Sequence, residues 1–289
     1  MISSKKVSKR LGWRARAWEI DFLRGISILL VAFDHAMFDM AYLFGDVWRD
    51  SGVPGLIDAQ KFARAYDNGW LKEFWWPVFV IIFFVVSGIC ITFSRNNFKR
   101  GLKIGMVAVF LTIATYLLEN YAGVYGITIY FGVLHCMAAS ILIISLISAF
   151  LDRIPNMNRI LKAVVFLVIG IVVVLLYDMY FPPIGNRSPS LTSKTDILVL
   201  GVIFHVEKFW WLTADYFPLV PYIGYFSFGT AIGLVLYDKK KSLIPKLNGP
   251  WHMPFTLPGR HSAFIYLGVR AIDIAILALI TYVSVGTLF

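Results

Sequence analysis

One apolar run, residues 20–42, carries an arginine and a histidine on the same side of a single helix, and neither belongs in lipid. The run is long enough to cross a bilayer, which takes ~20 mostly apolar residues. Arg24 and His35 lie eleven positions apart, close to three full turns at ~3.6 residues per turn. Asp21 comes one turn before Arg24, and Asp39 one turn after His35. These four side chains therefore form a polar stripe down one face of a membrane helix. An ionisable group at bilayer depth costs about 3 kcal/mol or more unless it faces the protein interior or a wet cavity. The stripe is expected to face something useful.

The rest of the chain is similarly apolar. Of 289 residues, 58% are hydrophobic and only 15% charged, and mean hydropathy is +0.72. That balance excludes an ordinary soluble domain. Seven blocks read as spans: 20–42, 74–93, 102–118, 127–151, 160–177, 216–237 and 262–285. The expected fold is an all-α polytopic transmembrane bundle. Residues 197–206 are apolar but too short to cross alone. Together with Phe209, Trp210 and Trp211 they read as a re-entrant or interfacial element. Residues 1–18 read as a basic cytoplasmic tail, and 19–289 as one transmembrane domain.

Loop charge sets the expected orientation. Lys5 to Arg16 fill the tail, and Arg95, Lys99, Arg100 and Lys103 follow span two. Arg153, Arg159 and Lys162 follow span four, and Lys239 to Lys241, Lys246 and Arg260 follow span six. In a seven-span scheme all of these share one side, which the positive-inside rule makes cytoplasmic. An eighth span at 197–206 would place Lys239 to Lys241 outside. The remaining loops are mixed or acidic, with Asp46, Asp50, Asp58, Asp67, Glu73 and Glu119. The net charge of +10 is thus explained by the membrane and does not call for a nucleic-acid partner. The basic tail lacks the apolar core of a cleavable signal peptide. Cys90 and Cys136 fall within spans and read as packing residues.

Two outer loops are long, 45–73 and 178–215. Ser51 to Gly55 carry turn signals, and Lys61 to Asp67 suit a short surface helix. These loops read as a lid or acceptor site, or as plain connectors. Asn186, Arg187 and Ser188 match a glycosylation sequon, a weak signal. No internal repeat supports an inverted-repeat transporter.

The polar residues at depth have two readings each. Arg24 lies about one turn from the cytoplasmic end, where it can act, snorkel or pair with Asp21. His35 lies ~20 Å along the helix from Ile20, and a ring that titrates near neutrality suits proton transfer. His135 in span four is expected ~12 Å below the outer surface, level with His35, or else simply bonded to a neighbouring helix. Arg260, His261 and Ser262 share the level of Arg24. Arg270 and Asp273, three residues apart, read as a pair. Phosphate-loop, zinc and Ser-His-Asp patterns are absent.

The run Glu19-Ile20-Asp21-Phe22-Leu23-Arg24-Gly25-Ile26, continuing to His35 and Asp39, resembles the opening of a known family. It is the transmembrane acyltransferase family typified by heparan-alpha-glucosaminide N-acetyltransferase, especially its short bacterial members. An arginine and a histidine at this spacing also mark the wider group of acyltransferases that modify bacterial surface polysaccharides. Phe131 to His135, Asp215 to Pro221 and Gly259 to Ser262 resemble further family stretches, in the same order. The chain departs in span seven, where Val269 and Arg270 follow Ile265-Tyr266-Leu267-Gly268 in place of the family's His-Gln. It also has His35 where the lysosomal enzyme has Asn.

The resemblance implies transfer of an acyl group, acetyl from acetyl-CoA, to an extracytoplasmic sugar on a glycan or glycolipid. It implies a bacterial-type cell membrane and no metal, and it is compatible with a homo-oligomer. The residue layout fits independently. Arg24 and Arg260, with Asp21, His261 and Ser262 and with Arg95 as a further candidate, make a cationic mouth for the CoA phosphates. His35 suits a general base, with Asp39 orienting its ring; an acyl-histidine intermediate is the other route. His135 and Asp215 are candidates for the acceptor side. The rivals are a transporter or flippase using the same stripe, and a membrane scaffold.

Overall fold

The structure, a computed structural model, describes residues 17–122, 127–180, 198–204 and 213–287. Among them, seven helices are long and apolar enough to cross a membrane, in the order expected from sequence. No β-strand forms among the described residues, and one isolated bridge joins Phe131 to Tyr216. The chain is a multi-pass integral membrane protein. The basic tail through Arg16, the sequon and Phe209 to Trp211 lie outside the described residues. Contacts divide the chain into two compact units, Met1–Phe83 with Ile244–Phe289, and Phe84–Leu243.

The first unit holds the polar stripe. Helix α1 (Trp18–Phe38) opens with Glu19 and Asp21 in its first turn, where the positive end of the helix favours carboxylates. It closes in a π-helical turn, Asp39–Leu43, an insertion of the kind often found at functional sites. A short helix α2 (Gly45–Asp50) follows. Gly52 then takes φ +70, a left-handed value that glycine adopts without steric cost. Pro54 occupies the first turn of α3 (Pro54–Asp67), where its missing N–H costs nothing. The surface helix expected at Lys61 to Asp67 is the second half of α3. Helix α4 (Trp70–Ile89) starts in this unit and ends in the other. The buried Trp48 packs with Phe44, Leu56 and Leu277 and donates its indole N–H to Thr281 Oγ1 at 2.7 Å.

The second unit contains α5 (Asn97–Ala122), α6 (Val133–Leu151), α7 (Arg159–Tyr180), α8 (Leu198–Ile203) and α9 (Leu219–Leu236). Helix α9 packs on α7 and α6, and α5 on α6. At ~9 Å, α8 is too short to cross a bilayer. Span four begins later than the sequence suggests. Residues 127–132 are not helical because local side chains satisfy their backbone. Thr128 gives its N–H and hydroxyl to the Glu119 carboxylate at 2.8 and 2.6 Å, and Ile129 gives its N–H to Thr115 Oγ1 at 3.1 Å. Inside a membrane such internal partners are the condition for irregular backbone.

The chain returns to the first unit through α10 (Met253–Arg260) and α11 (Ser262–Val285). Much of α5 and α11 is apolar yet exposed, with Phe110 71% and Val283 75% accessible. Surface of this kind suits lipid, which gives apolar side chains no reason to be buried.

Candidate active site

Two glycines bring α1 and α10 into contact. A Cβ on Gly25 would lie 1.7 Å from the Phe255 carbonyl oxygen, and one on Gly259 would lie 1.7 Å from that of Asp21. Small residues at a membrane helix crossing permit this approach of one backbone to another. The crossing places the acidic and basic ends of the site together. Arg260 Nε donates to Asp21 Oδ2 at 3.0 Å, and Arg24 Nη2 donates to Ser262 Oγ at 2.6 Å. Arg24 Nε is buried and makes no hydrogen bond. His261 is exposed at the junction of α10 and α11. Asp21, Arg24, Arg260, His261 and Ser262 thus gather at one level, as the sequence led one to expect. Gly259→Val should disrupt this crossing, at about 1–3 kcal/mol or more for overpacking. Thermal unfolding in lipid nanodiscs measures it, and an unchanged midpoint would mean the helices do not cross so closely.

Farther along α1, the stripe faces α11. The His35 ring lies 6.3 Å from the Tyr266 ring, at 63° to it. A small cavity of about 10 Å³ sits there, lined by His35, Val31, Tyr266, Arg270 and neighbours. At the far end Arg270 Nη2 lies 2.9 Å from Asp39 Oδ1, and Asp39 is fully buried. Arg270 Nη1, Asp39 Oδ2 and Asp273 Oδ2 are buried without hydrogen-bond partners, which leaves this end of the site with unused polar capacity.

Two sequence expectations change here. Arg270, read as the partner of Asp273, forms its ion pair with Asp39 on another helix. Asp39, read as orienting the imidazole, faces Arg270, and His35 makes no hydrogen bond to it. The cause is the packing of α11 against α1, which a reading within one helix cannot see. The contacts also run in the same order along both helices, Arg24 with Ser262 and Asp39 with Arg270. Spans one and seven are therefore parallel, as an odd number of crossings requires.

His135 and Asp215 belong to the second unit. His135 falls in the first turn of α6, rather than two turns into a span. Its Nδ1 accepts the Gly132 N–H at 3.3 Å, and its Nε2 lies 3.1 Å from Thr112 Oγ1. Thr112 gives its own proton to the Ile129 carbonyl at 2.6 Å, so the ring nitrogen is the donor in that pair. Asp215 Oδ2 accepts the Val133 N–H at 2.9 Å, satisfying a free donor at the start of α6. Both side chains hold the irregular segment against its helix.

A cluster the sequence reading passed over lies beside the stripe. Asp34 Oδ1 accepts the Tyr66 hydroxyl at 3.3 Å and lies 3.3 Å from Lys72 Nζ. Lys72 also pairs with Asp67, whose Oδ2 accepts the Tyr42 hydroxyl at 2.5 Å. Burial and the neighbouring Asp34 push the Tyr66 hydroxyl up from its ordinary pKa, so it stays a proton donor. An Asp inside an apolar run was the available signal, but it lies off the face that spacing picked out.

A set of membrane helices with two buried carboxylates, Asp21 and Asp39, beside half-buried Arg24, His35, Arg260 and Arg270 defines a membrane protein with intramembrane polar chemistry. The match that places it more narrowly is to the family described as heparan-alpha-glucosaminide N-acetyltransferase, catalytic, over residues 16–270. The chain belongs to that family of membrane acetyltransferases, and the matched stretch includes every residue of the stripe. No curated protein and no solved structure matches the chain significantly.

Proposed function

We propose that this protein transfers an acetyl group from cytoplasmic acetyl-CoA to a hydroxyl or amine of an extracytoplasmic sugar. The observation that carries the reading is the stripe itself. Its cationic cluster at Arg24 and Arg260 and its histidine lie ~16 Å apart along one helix, by eleven residues at ~1.5 Å rise. Arg24, with an N–H still free, and Arg260 suit the phosphates of CoA, helped by Ser262 and His261. Asp21 holds Arg260 in place. Neutral His35 takes the proton of the attacking hydroxyl or amine. Asp39 acts through Arg270, which lines the His35 cavity and offers an unused N–H toward charge that develops on the acyl oxygen. His135 and Asp215 keep the irregular start of α6 in place within the second unit. Family membership supports acetyl transfer in general, and positive-inside loop charge supports a cytoplasmic N-terminus.

Arg24→Ala tests the donor half. Acetyl-CoA affinity should fall by roughly 1.5–3 kcal/mol, the worth of a hydrogen bond to a charged group. Isothermal titration on folded protein in nanodiscs reads it, and unchanged affinity would favour a transporter that never engages CoA. Orientation is tested separately with single introduced cysteines. Position 240 should react with an impermeant thiol reagent only from the cytoplasmic side, and position 58 only from outside; the reverse labelling would turn the donor and acceptor sides around.

A further inference from the structure

A cavity of about 320 Å³ lies beside the stripe, among α1, α3 and the start of α4. That volume falls within the range of small-molecule sites, ~300–1,000 Å³. Its walls are apolar and aromatic, with Leu71, Trp75, Trp76 and Phe79 from α4 and Val31 from α1. Asp34 and Tyr66 also line it, and they bring with them the hydrogen-bonded cluster of Lys72, Asp67 and Tyr42. We propose that this cavity seats the acceptor, and that the acceptor is a pyranose carried on an apolar chain, a glycolipid that enters sideways from the bilayer. The inference rests on the acetyl-transfer reading for its purpose and on the cavity for its chemistry.

Each part of that ligand has a counterpart. Flat aromatic side chains match the C–H face of a sugar ring, and a few polar groups on one side fix its orientation. Both contacts of Asp34 fall on Oδ1, so Oδ2 keeps its lone pairs for an incoming hydroxyl. Asp34 and Asp67 both pair with Lys72, which sets two carboxyl groups beside one ammonium. A fatty acid or a phosphate would be repelled there, whereas a neutral or amino sugar would not. Leu71 and Trp75 are each 42% exposed on the flank of a membrane helix, which gives an alkyl or isoprenyl chain a place to lie. Val31 lines both this cavity and the small one at His35, so the two adjoin along α1 and a hydroxyl at their boundary can reach the proposed base.

The test uses the full chain, purified without sugar-headed detergents and reconstituted in phosphatidylcholine nanodiscs. Dodecyl β-glucoside is titrated while tryptophan fluorescence is read, with methyl β-glucoside and dodecanol as comparison ligands. Saturable dodecyl glucoside binding is expected, about tenfold or more tighter than for either comparison ligand. Trp75→Ala and Asp34→Asn should each weaken it by about tenfold, and Trp75→Phe, which keeps an aromatic face, should lose less. Equal binding of methyl glucoside would overturn the lipid-borne source, and equal binding of dodecanol would overturn sugar recognition. Unchanged affinity in both Trp75→Ala and Asp34→Asn would overturn the location. Acetyl-CoA binding, measured in parallel, should be unaffected by these variants. Failure of wild type to bind acetyl-CoA would sink the transfer reading while leaving the glucoside result to stand or fall alone.

Discussion

His35→Ala should lower acetyl transfer by about 100-fold or more, the usual contribution of a positioned general base, while acetyl-CoA binds as before. The donor residues Arg24, Arg260 and Ser262 form their own bonded cluster, ~16 Å away along α1, so removing the ring leaves the donor side intact. The loss should appear in kcat rather than in donor affinity. The wild-type rate should also fall toward acid pH, because a general base works only in its neutral form. His135→Ala provides the contrast. That ring is bonded on both nitrogens to structural groups, so its loss should cost stability more than kcat. Normal turnover in His35→Ala with a dead but folded His135→Ala would move the base to α6.

Asp39→Ala should destabilise the fold by about 1–3 kcal/mol, the cost of leaving the half-buried Arg270 guanidinium without its partner. Asp39 is fully buried and lies 2.9 Å from the Arg270 guanidinium, while Arg270 Nη1 already lacks a partner. Replacing both residues with apolar ones, Asp39→Leu with Arg270→Met, should recover most of that stability, since a hydrophobic pair of similar volume is often as good. The double variant should nonetheless remain impaired in transfer, because the charge beside His35 is gone. Thermal unfolding and transfer rate, measured on the three proteins, separate these effects. A double variant as unstable as the single one would mean that the pair is not coupled as the geometry indicates.

The legible part of this molecule was whatever repeats along one helix. Long apolar blocks identify spans because a bilayer demands length and hydropathy together, and the 3.6-residue period puts Asp21, Arg24, His35 and Asp39 on one face without reference to any other helix. The shared level of Arg24 with Arg260 and Ser262 was also readable, from parity and depth. Partner choice across helices was not. Arg270 had a near neighbour in Asp273 and a distant one in Asp39, and only the packing of α11 on α1 decides between them. The onset of α6 was hidden because residues 127–132 look like membrane helix by composition, while Glu119 and Thr115 draw their backbone groups out of it. Asp34 went unread because its ties to Tyr66 and Lys72 depend on the turn at Gly52 and the approach of α3 to α1.

The most direct measurement is acetyl transfer in nanodiscs from radiolabelled acetyl-CoA to a glycolipid acceptor such as dodecyl β-glucosaminide, with wild type and His35→Ala compared side by side. Wild type should move label from CoA onto the sugar and release free CoA in equal amount, and His35→Ala should bind labelled acetyl-CoA yet leave the label on it. Labelled sugar formed at equal rates by both proteins would contradict the role of His35. Folded wild type that binds no acetyl-CoA and labels no acceptor would contradict the transfer reading itself.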